Sequence, residues 1–293
     1  MSHQQKLKVR NRRTYVQDTP GAGADGARHR VSARPHQTSA ERNIVAGRDL
    51  FRAGEIGEAI YCFVEGWAAL YNVLEDGRKQ ILQFAYPGAV LAFSPERGGV
   101  MDYSAQAITD VKVRVTSHER LFDLYRGNPE IGLEVARTIA RDRSLAFDHL
   151  VGIGRRSARE RIAHLLLELF VRSRMRWPGH HSEELCLPLT QEHIGDATGL
   201  TGVHVNRALR ALGKEGIVEF HYRRLRILNP DQLVDAAGID PQVAQSWIND
   251  NRLIKLIAGE AGDPSNVVRL DGLCGCSVPV ISRPQRAAVM CQC

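Results

Sequence analysis

The 293-residue chain has no uninterrupted apolar run approaching the ~18 residues of a membrane span. Its basic start, MSHQQKLKVRNRR, has no apolar core behind it, so it does not read as a secretory signal. A cytoplasmic protein without a membrane partner is therefore expected. No cysteine precedes Cys62, which leaves no N-terminal thiol cluster for a metal or iron–sulfur group. P-loop, G-x-S-x-G and dinucleotide fingerprints are also missing. His180-His181 and Glu183-Glu184 lie in MRWPGHHSEELCLPL, a loop sequence without the i, i+4 helical spacing of H-E-x-x-H. Catalysis is not expected.

What is present reads as soluble and globular, with 43% hydrophobic and 25% charged residues over a length suited to two domains. The net charge of +6 is unevenly placed. Residues 1–48 hold ten Lys/Arg against three Asp/Glu, and the remainder is close to neutral. The total charge is therefore weak evidence for a nucleic-acid partner. A local excess counts for more: residues 202–227 carry six Lys/Arg against Glu215 and Glu219.

That excess falls within Leu189–Ile227, LTQEHIGDATGLTGVHVNRALRALGKEGIVEFHYRRLRI. Thr190 is a suitable N-cap, and Ile194 and Ala197 give a short helix one apolar edge. Gly199 breaks the chain, Leu200 plugs the corner and Thr201 can cap a second helix. Val205, Leu209 and Leu212 share one side of that helix, while Gly202, Val203, His204, Asn206 and Arg207 face outward. Two short helices about a glycine turn form a helix-turn-helix. Ile217–Ile227 then reads as two short strands with Arg223, Arg224 and Arg226 near their junction, a basic wing.

Upstream, residues 44–117 alternate short apolar runs with turns such as Glu65-Gly66 and the hairpin signal Asp76-Gly77. This texture predicts an antiparallel barrel or jelly roll. Asn128-Pro129 opens a long helix on which Ala136, Ile139, Arg143, Ala146, Leu150 and Ile153 recur in steps of three and four, a coiled-coil seam. Gly152 and Gly154 read as a hinge before RRSARERIAHLLLELF, a helix with Ile162, Leu165, Leu166 and Leu169 as its apolar residues.

Two motifs carry a family resemblance. The helix-turn-helix matches at Leu189-Thr190, Ile194-Gly195, Gly199-Leu200-Thr201, Val205, Arg207, Leu209, Leu212 and Gly216-Ile217-Val218. The strand-rich half matches at Gly54, Tyr61, Val64, Gly66, Gly77, Arg78, Gln80, Pro87 and Gly88. Together, over residues 44–235, these resemble the cyclic-AMP receptor protein/fumarate-nitrate regulator (CRP/FNR) superfamily. The spacing of Gly88, Phe93, Gly99, Ala105, Gln106 and Ala107 is similar to the fumarate-nitrate-regulator branch.

The resemblance implies an α+β fold: a cyclic-nucleotide-binding-type β-roll at 44–128, a dimerisation helix at 129–155 and a winged helix-turn-helix at 156–235. Outside it, the composition of residues 1–43, rich in Arg, Gly, Ala, Ser and Pro, reads as a disordered basic segment. Residues 236–293 read as a C-terminal extension that is partly helical, with DPQVAQSWINDNRLIKLIAG as one amphipathic helix, and then disordered. It implies a transcription regulator that binds double-stranded DNA as a homodimer on a pseudo-palindromic site and contacts RNA polymerase. Thr190, Gln191, Thr201, Val203, His204, Asn206, Arg207, Arg210, Arg223 and Arg224 are the expected DNA-contacting residues. Ala136, Ile139, Ala146, Leu150 and Ile153 are expected at the dimer interface.

The same resemblance shows departures. Gly88-Ala89 stands where cyclic-AMP-responsive members have Gly-Glu, and Tyr103-Ser104 where they have Arg-Ser. Ala146 and Phe147 occupy the purine-contacting positions. Cyclic nucleotide is therefore not expected, and no cofactor is predicted, although iron–sulfur, haem and zinc stay open. Cys274-Gly275-Cys276 and Cys291-Gln292-Cys293 form two C-x-C pairs, weak metal candidates because paired zinc ligands are usually spaced more widely. They leave a metal- or redox-responsive regulator as the alternative, with a non-DNA-binding signalling module or a hydrolase further behind.

Overall fold

The computed structural model describes residues 39–93, 99–242, Ala244, Trp247, Ile248 and 251–259, all within one compact unit. The N-terminal half is a roll of two antiparallel four-stranded sheets. One has the order β1 (Ala40–Ile44), β8 (Val111–Ser117), β3 (Ala59–Glu65), β6 (Val90–Leu91). The other runs β2 (Asp49–Phe51), β7 (Ser104–Ala107), β4 (Ala68–Val73), β5 (Lys79–Ala85). Strand β1 pairs with β8 from Ala40 to Ile44, so residues 40–43 belong to the roll and not to a disordered segment. The pairing supplies what the local composition does not: a partner edge for their backbone groups.

The alternating pattern becomes a closed interior because inward residues of both sheets meet. Phe51, Phe63, Leu70, Met101, Ala105 and Val113 are buried together. Glu65-Gly66 turns the chain from one sheet to the other, since β3 and β4 are not paired. Gly66 has φ 87°, and a Cβ there would lie 2.1 Å from the Asp110 carbonyl oxygen. Only glycine fits that corner. Asp76-Gly77 closes the β4–β5 hairpin as expected, with Val73 opposite Lys79.

A helix, α1 (His118–Gly127), follows the strands and closes the 44–128 span assigned to the β-roll; Ser117 caps it by accepting the Arg120 N–H. The long helix α2 (Glu130–Arg155) includes both Gly152 and Gly154. The break comes instead at Arg156, where the backbone turns extended, and Ser157 and Glu160 form a reciprocal capping box that starts α3 (Ala158–Arg174). The hinge is therefore set by the cap rather than by the glycines.

Helix α3 is the hub of the second half. Every residue from Ile162 to Val171 is buried, including His164 and Glu168. Around it lie β9 (Glu183–Cys186), α4 (Gln191–Thr198), α5 (Gly202–Lys214), β10 (Val218–His221), β11 (Arg224–Ile227) and α6 (Pro230–Ala237), with sheet order β10-β11-β9. One apolar cluster joins α3 to Trp67, Ile81, Phe84 and Tyr86 of the roll.

Beyond α6 the expected amphipathic helix is shorter than the pattern suggests. Asn251 adopts left-handed backbone at φ 57°, and α7 (Arg252–Ala258) is the one helix that follows it among the described residues. Trp247 is buried against His164, at 5.1 Å between rings. Leu253, Leu256 and Ile257 pack with Ile60, Cys62, Val90 and Ile131. Among the described residues no helix is long and apolar enough to cross a membrane.

Candidate nucleic-acid interface

Helix α4 begins where expected. The Thr190 hydroxyl accepts the His193 N–H, and the His193 ring accepts the Thr190 N–H in return. Burial and nearby Lys79 lower the His193 pKa, which favours the neutral ring that this capping role needs. Gly199 ends the helix at φ 67°. The second helix can sit close to the first because residue 195 is glycine; a Cβ there would come within 2.7 Å of the Leu200 carbonyl oxygen.

Thr201 stands at the N-cap of α5, but its side chain makes no capping bond. The hydroxyl pairs with the His204 Nδ1 at 2.9 Å instead. Val205 and Leu212 are fully buried and Leu209 packs against the same core. The opposite face presents Val203, His204, Arg207 and Arg210 to solvent. Asn206 donates to the Gln191 side chain at 3.4 Å, linking two expected contact residues to each other across the turn.

The wing is the β10–β11 hairpin, pinned to β9. Its arginines differ in their partners. Arg224 pairs with Glu184 at 2.9 Å and Arg226 with Glu219 at 2.7 Å. Arg207, Arg210 and Arg223 are exposed, and none pairs with a carboxylate among the described residues. Two residues of the HHSEE stretch are also paired: Glu183 of β9 is bound by Arg176, and His180 lies 3.5 Å from Asp231. No group of three or more metal-ligating side chains occurs among the described residues. Cys274, Cys276, Cys291 and Cys293 lie outside them.

On α2, Ala136, Ile139, Arg143, Ala146, Leu150 and Ile153 are all exposed, while Ile131, Glu134, Thr138, Leu145 and Gly152 are buried on the other face. Tyr103 is partly buried; its hydroxyl accepts the Ala92 N–H at 3.1 Å, and its ring meets Phe51 edge-on at 5.4 Å. Burial pushes the Tyr103 pKa up to about 12, so the group is a neutral phenol.

Sequence reasoning missed a charged joint between α2 and α3. Glu168 accepts from His149 at 2.5 Å and from Arg172 at 2.7 Å. Asp148 binds His164 at 2.6 Å and Arg156 at 3.0 Å. Burial works to raise the Glu168 carboxyl, yet His149 and Arg172 hold it below the ordinary range; the Glu168 carboxylate in turn raises His149. His149, Arg156, His164 and Glu168 line an open cleft together with Leu82, Phe84 and Thr198. The signal available in sequence was the pair His164 and Glu168 set four apart inside an otherwise apolar helix.

A β-roll, a long helix with one bare, mostly apolar seam and a winged helix-turn-helix that exposes Arg207, Arg210 and Arg223 together define a DNA-binding regulator. Comparison with known proteins agrees. The cyclic nucleotide-binding domain family matches residues 41–128, and the Crp-like helix-turn-helix domain family matches 160–236. The transcriptional activatory protein AadR of Rhodopseudomonas palustris is 32% identical over 181 residues, covering 62% of this chain and 74% of the relative. The nitrogen fixation regulation protein FixK of Bradyrhizobium diazoefficiens is 31% identical over 185 residues, covering 63% of this chain and 76% of that one. The solved structure of FixK2 from Bradyrhizobium japonicum superposes with a TM-score of 0.62 at 28% identity, covering 70% of this chain and all of that one. The chain belongs to the CRP/FNR superfamily and is a sequence-specific DNA-binding transcription regulator of that type.

Proposed function

We propose that the protein reads a pseudo-palindromic operator as a homodimer joined along α2. One observation carries this reading. All six seam positions from Ala136 to Ile153 are exposed in the single chain, whereas the opposite face of the same helix is packed. An exposed 3-4 repeat of this length suits a second copy of itself across a two-fold axis. Such an axis would set two copies of α5 about one helical turn of DNA apart, ~34 Å.

Within each half-site Arg207 is the base reader, since its guanidinium fork matches guanine O6 and N7 together. Gly202 and Val203 replace the Arg/Val and Glu usual in the family, which removes an acceptor for a cytosine amino group. The half-site therefore differs from those of the two namesake branches. Val203, 69% exposed, is suited to a thymine methyl. Arg223 in the wing holds phosphate, and RNA polymerase is the further partner. The reading assigns the protein no catalytic role.

The signal is not cyclic nucleotide. Tyr103 fills the place of the phosphate-binding arginine, and Ala89, Ala146 and Phe147 offer no polar anchor. Calorimetry with cyclic AMP and cyclic GMP should register no micromolar binding, and such binding would overturn this point.

The dimer is tested by selecting bound sites from random DNA and then placing charge in the seam. Ile139→Asp and Leu150→Asp should give folded monomers with weak affinity for the selected operator. A variant still dimeric at micromolar concentration by ultracentrifugation would contradict the assignment. Arg207→Ala should cost about 1–3 kcal/mol and relax one base position.

A further inference from the structure

At the tip of the wing two consecutive residues other than glycine take left-handed backbone, Tyr222 at φ 49° and Arg223 at φ 62°. They form the two-residue turn between His221 and Arg224, which are paired across the hairpin. Such turns are ordinarily Asn-Gly or Gly-Gly, because a Cβ at positive φ crowds the following carbonyl. The tip is nevertheless held firmly: the Arg223 carbonyl accepts the N–H of fully buried Leu187 at 2.8 Å. Tyr222 returns nothing to the fold for this strain, since it is 99% exposed. A large ring held out in solvent on a strained, anchored turn is a surface waiting for a partner.

We propose that Tyr222 is a DNA-contact residue. Its ring lies against deoxyribose on the minor-groove wall beside the major groove that α5 enters, an uncharged contact next to the phosphate contact of Arg223. This rests on the placement of α5 and the wing proposed above. The test uses the full chain and its selected operator. Tyr222→Asn suits left-handed backbone, so its melting temperature should stay level or rise. Operator affinity should fall roughly 3- to 10-fold, the range of one aromatic contact. The salt dependence should keep its slope, whereas Arg223→Ala should shallow it by about one phosphate. Affinity within a factor of two of the parent, or a lower melting temperature, would overturn the assignment. If Arg207→Ala also leaves selection unchanged, it is the groove placement that fails.

A second inference rests on residues past the family match, which ends at 236. From α6 the chain sets Trp247 against His164 of α3 and stacks it near Trp177 at 6.3 Å. Asn251 then covers Gly88 so closely that a Cβ on Gly88 would lie 2.2 Å from its side-chain oxygen. Arg252 pairs with Glu130, and α7 buries Leu253, Leu256 and Ile257 on the roll and α2. This segment touches both halves of the protein, yet leaves the outward face of α5 and the α2 seam bare.

We infer that the extension is a strap that fixes the winged helix against the roll in its DNA-reading arrangement. Its removal should make each operator complex bear the ordering cost of the hinge at Arg156-Ser157. Leu256→Asp should leave the dimer intact, speed tryptic cleavage at Arg155 or Arg156, and weaken operator binding by roughly tenfold. Arg252→Glu, a surface change that spares the fold, should act in the same direction and more weakly. Operator affinity unchanged or tighter in both variants would overturn the strap, whereas failure of the parent chain to bind any selected site would instead discard the operator reading itself.

Discussion

The interior of the roll and the joint between α2 and α3 are both buried, but they are made of opposite materials. Phe51, Phe63, Leu70, Met101 and Val113 fill the first. His149, Glu168, Arg172, His164, Asp148 and Arg156 form the second. Apolar contacts are non-directional, so the roll keeps its shape through many small adjustments. Charge-assisted bonds are directional, and the desolvated groups of the joint are satisfied in one arrangement. The difference gives the roll a solid interior and gives the connection between α2 and α3 a defined angle.

The largest effects should come from emptying either site. Phe63→Ala leaves a cavity in the roll and should cost about 3–5 kcal/mol in urea denaturation. Glu168→Ala strands His149 and Arg172 and should cost about 3–5 kcal/mol as well. The two sites part company on replacement in kind. Converting His149, Glu168 and Arg172 together to leucine should recover most of the lost stability, because ion sets are often no more stable than packed apolar residues. The same triple variant should lose operator affinity, since the fixed angle goes with the charges.

A smaller effect is expected from pH, and only at the joint. Glu168 lies below its ordinary pKa, so its contribution is complete above ~4.3 and is lost as pH falls toward its folded value. His149 lies above its ordinary pKa, chiefly through Glu168, so its contribution is complete below ~6.5 and is lost as pH rises through the raised value. Arg172 opposes protonation of His149, and the His164 ring is 6.4 Å away. The melting temperature of the parent should therefore drop more between pH 6 and pH 8.5 than that of His149→Gln. Equal drops would show that the pair does not titrate as described.

The smallest effect separates the wing arginines. Arg224 already pairs with Glu184 on an exposed surface, worth under about 1 kcal/mol to the fold. Arg224→Ala should therefore change both stability and the salt slope less than Arg223→Ala changes the slope. A filter-binding titration across salt concentrations would reveal the reverse order if it held.

Much of the second half was legible because its signals are local. Thr190 caps, Gly199 breaks and Val205 and Leu212 bury within a span that a few turns of chain can decide. Thr201 shows the limit: its position as N-cap was readable, but the bond it makes goes to His204, a neighbour it meets only once α5 has formed. Gly152 and Gly154 looked like the hinge by composition, yet the Ser157–Glu160 box competes for the same junction and moves the break past them.

The sequence by itself determined the class of protein, because periodicity, caps and turn residues act over a few positions and carry their chemistry with them. It also determined the seam, since steps of three and four place six residues on one face whatever surrounds the helix. Only the tertiary structure decided what the other face of α2 meets, that His149 and Glu168 share a proton-bearing contact from two helices, and that Trp247 and α7 return to the roll. Those are contacts between residues distant along the chain. Their free energy depends on desolvation and on geometry within a few ångströms, and neither exists until the chain has closed on itself.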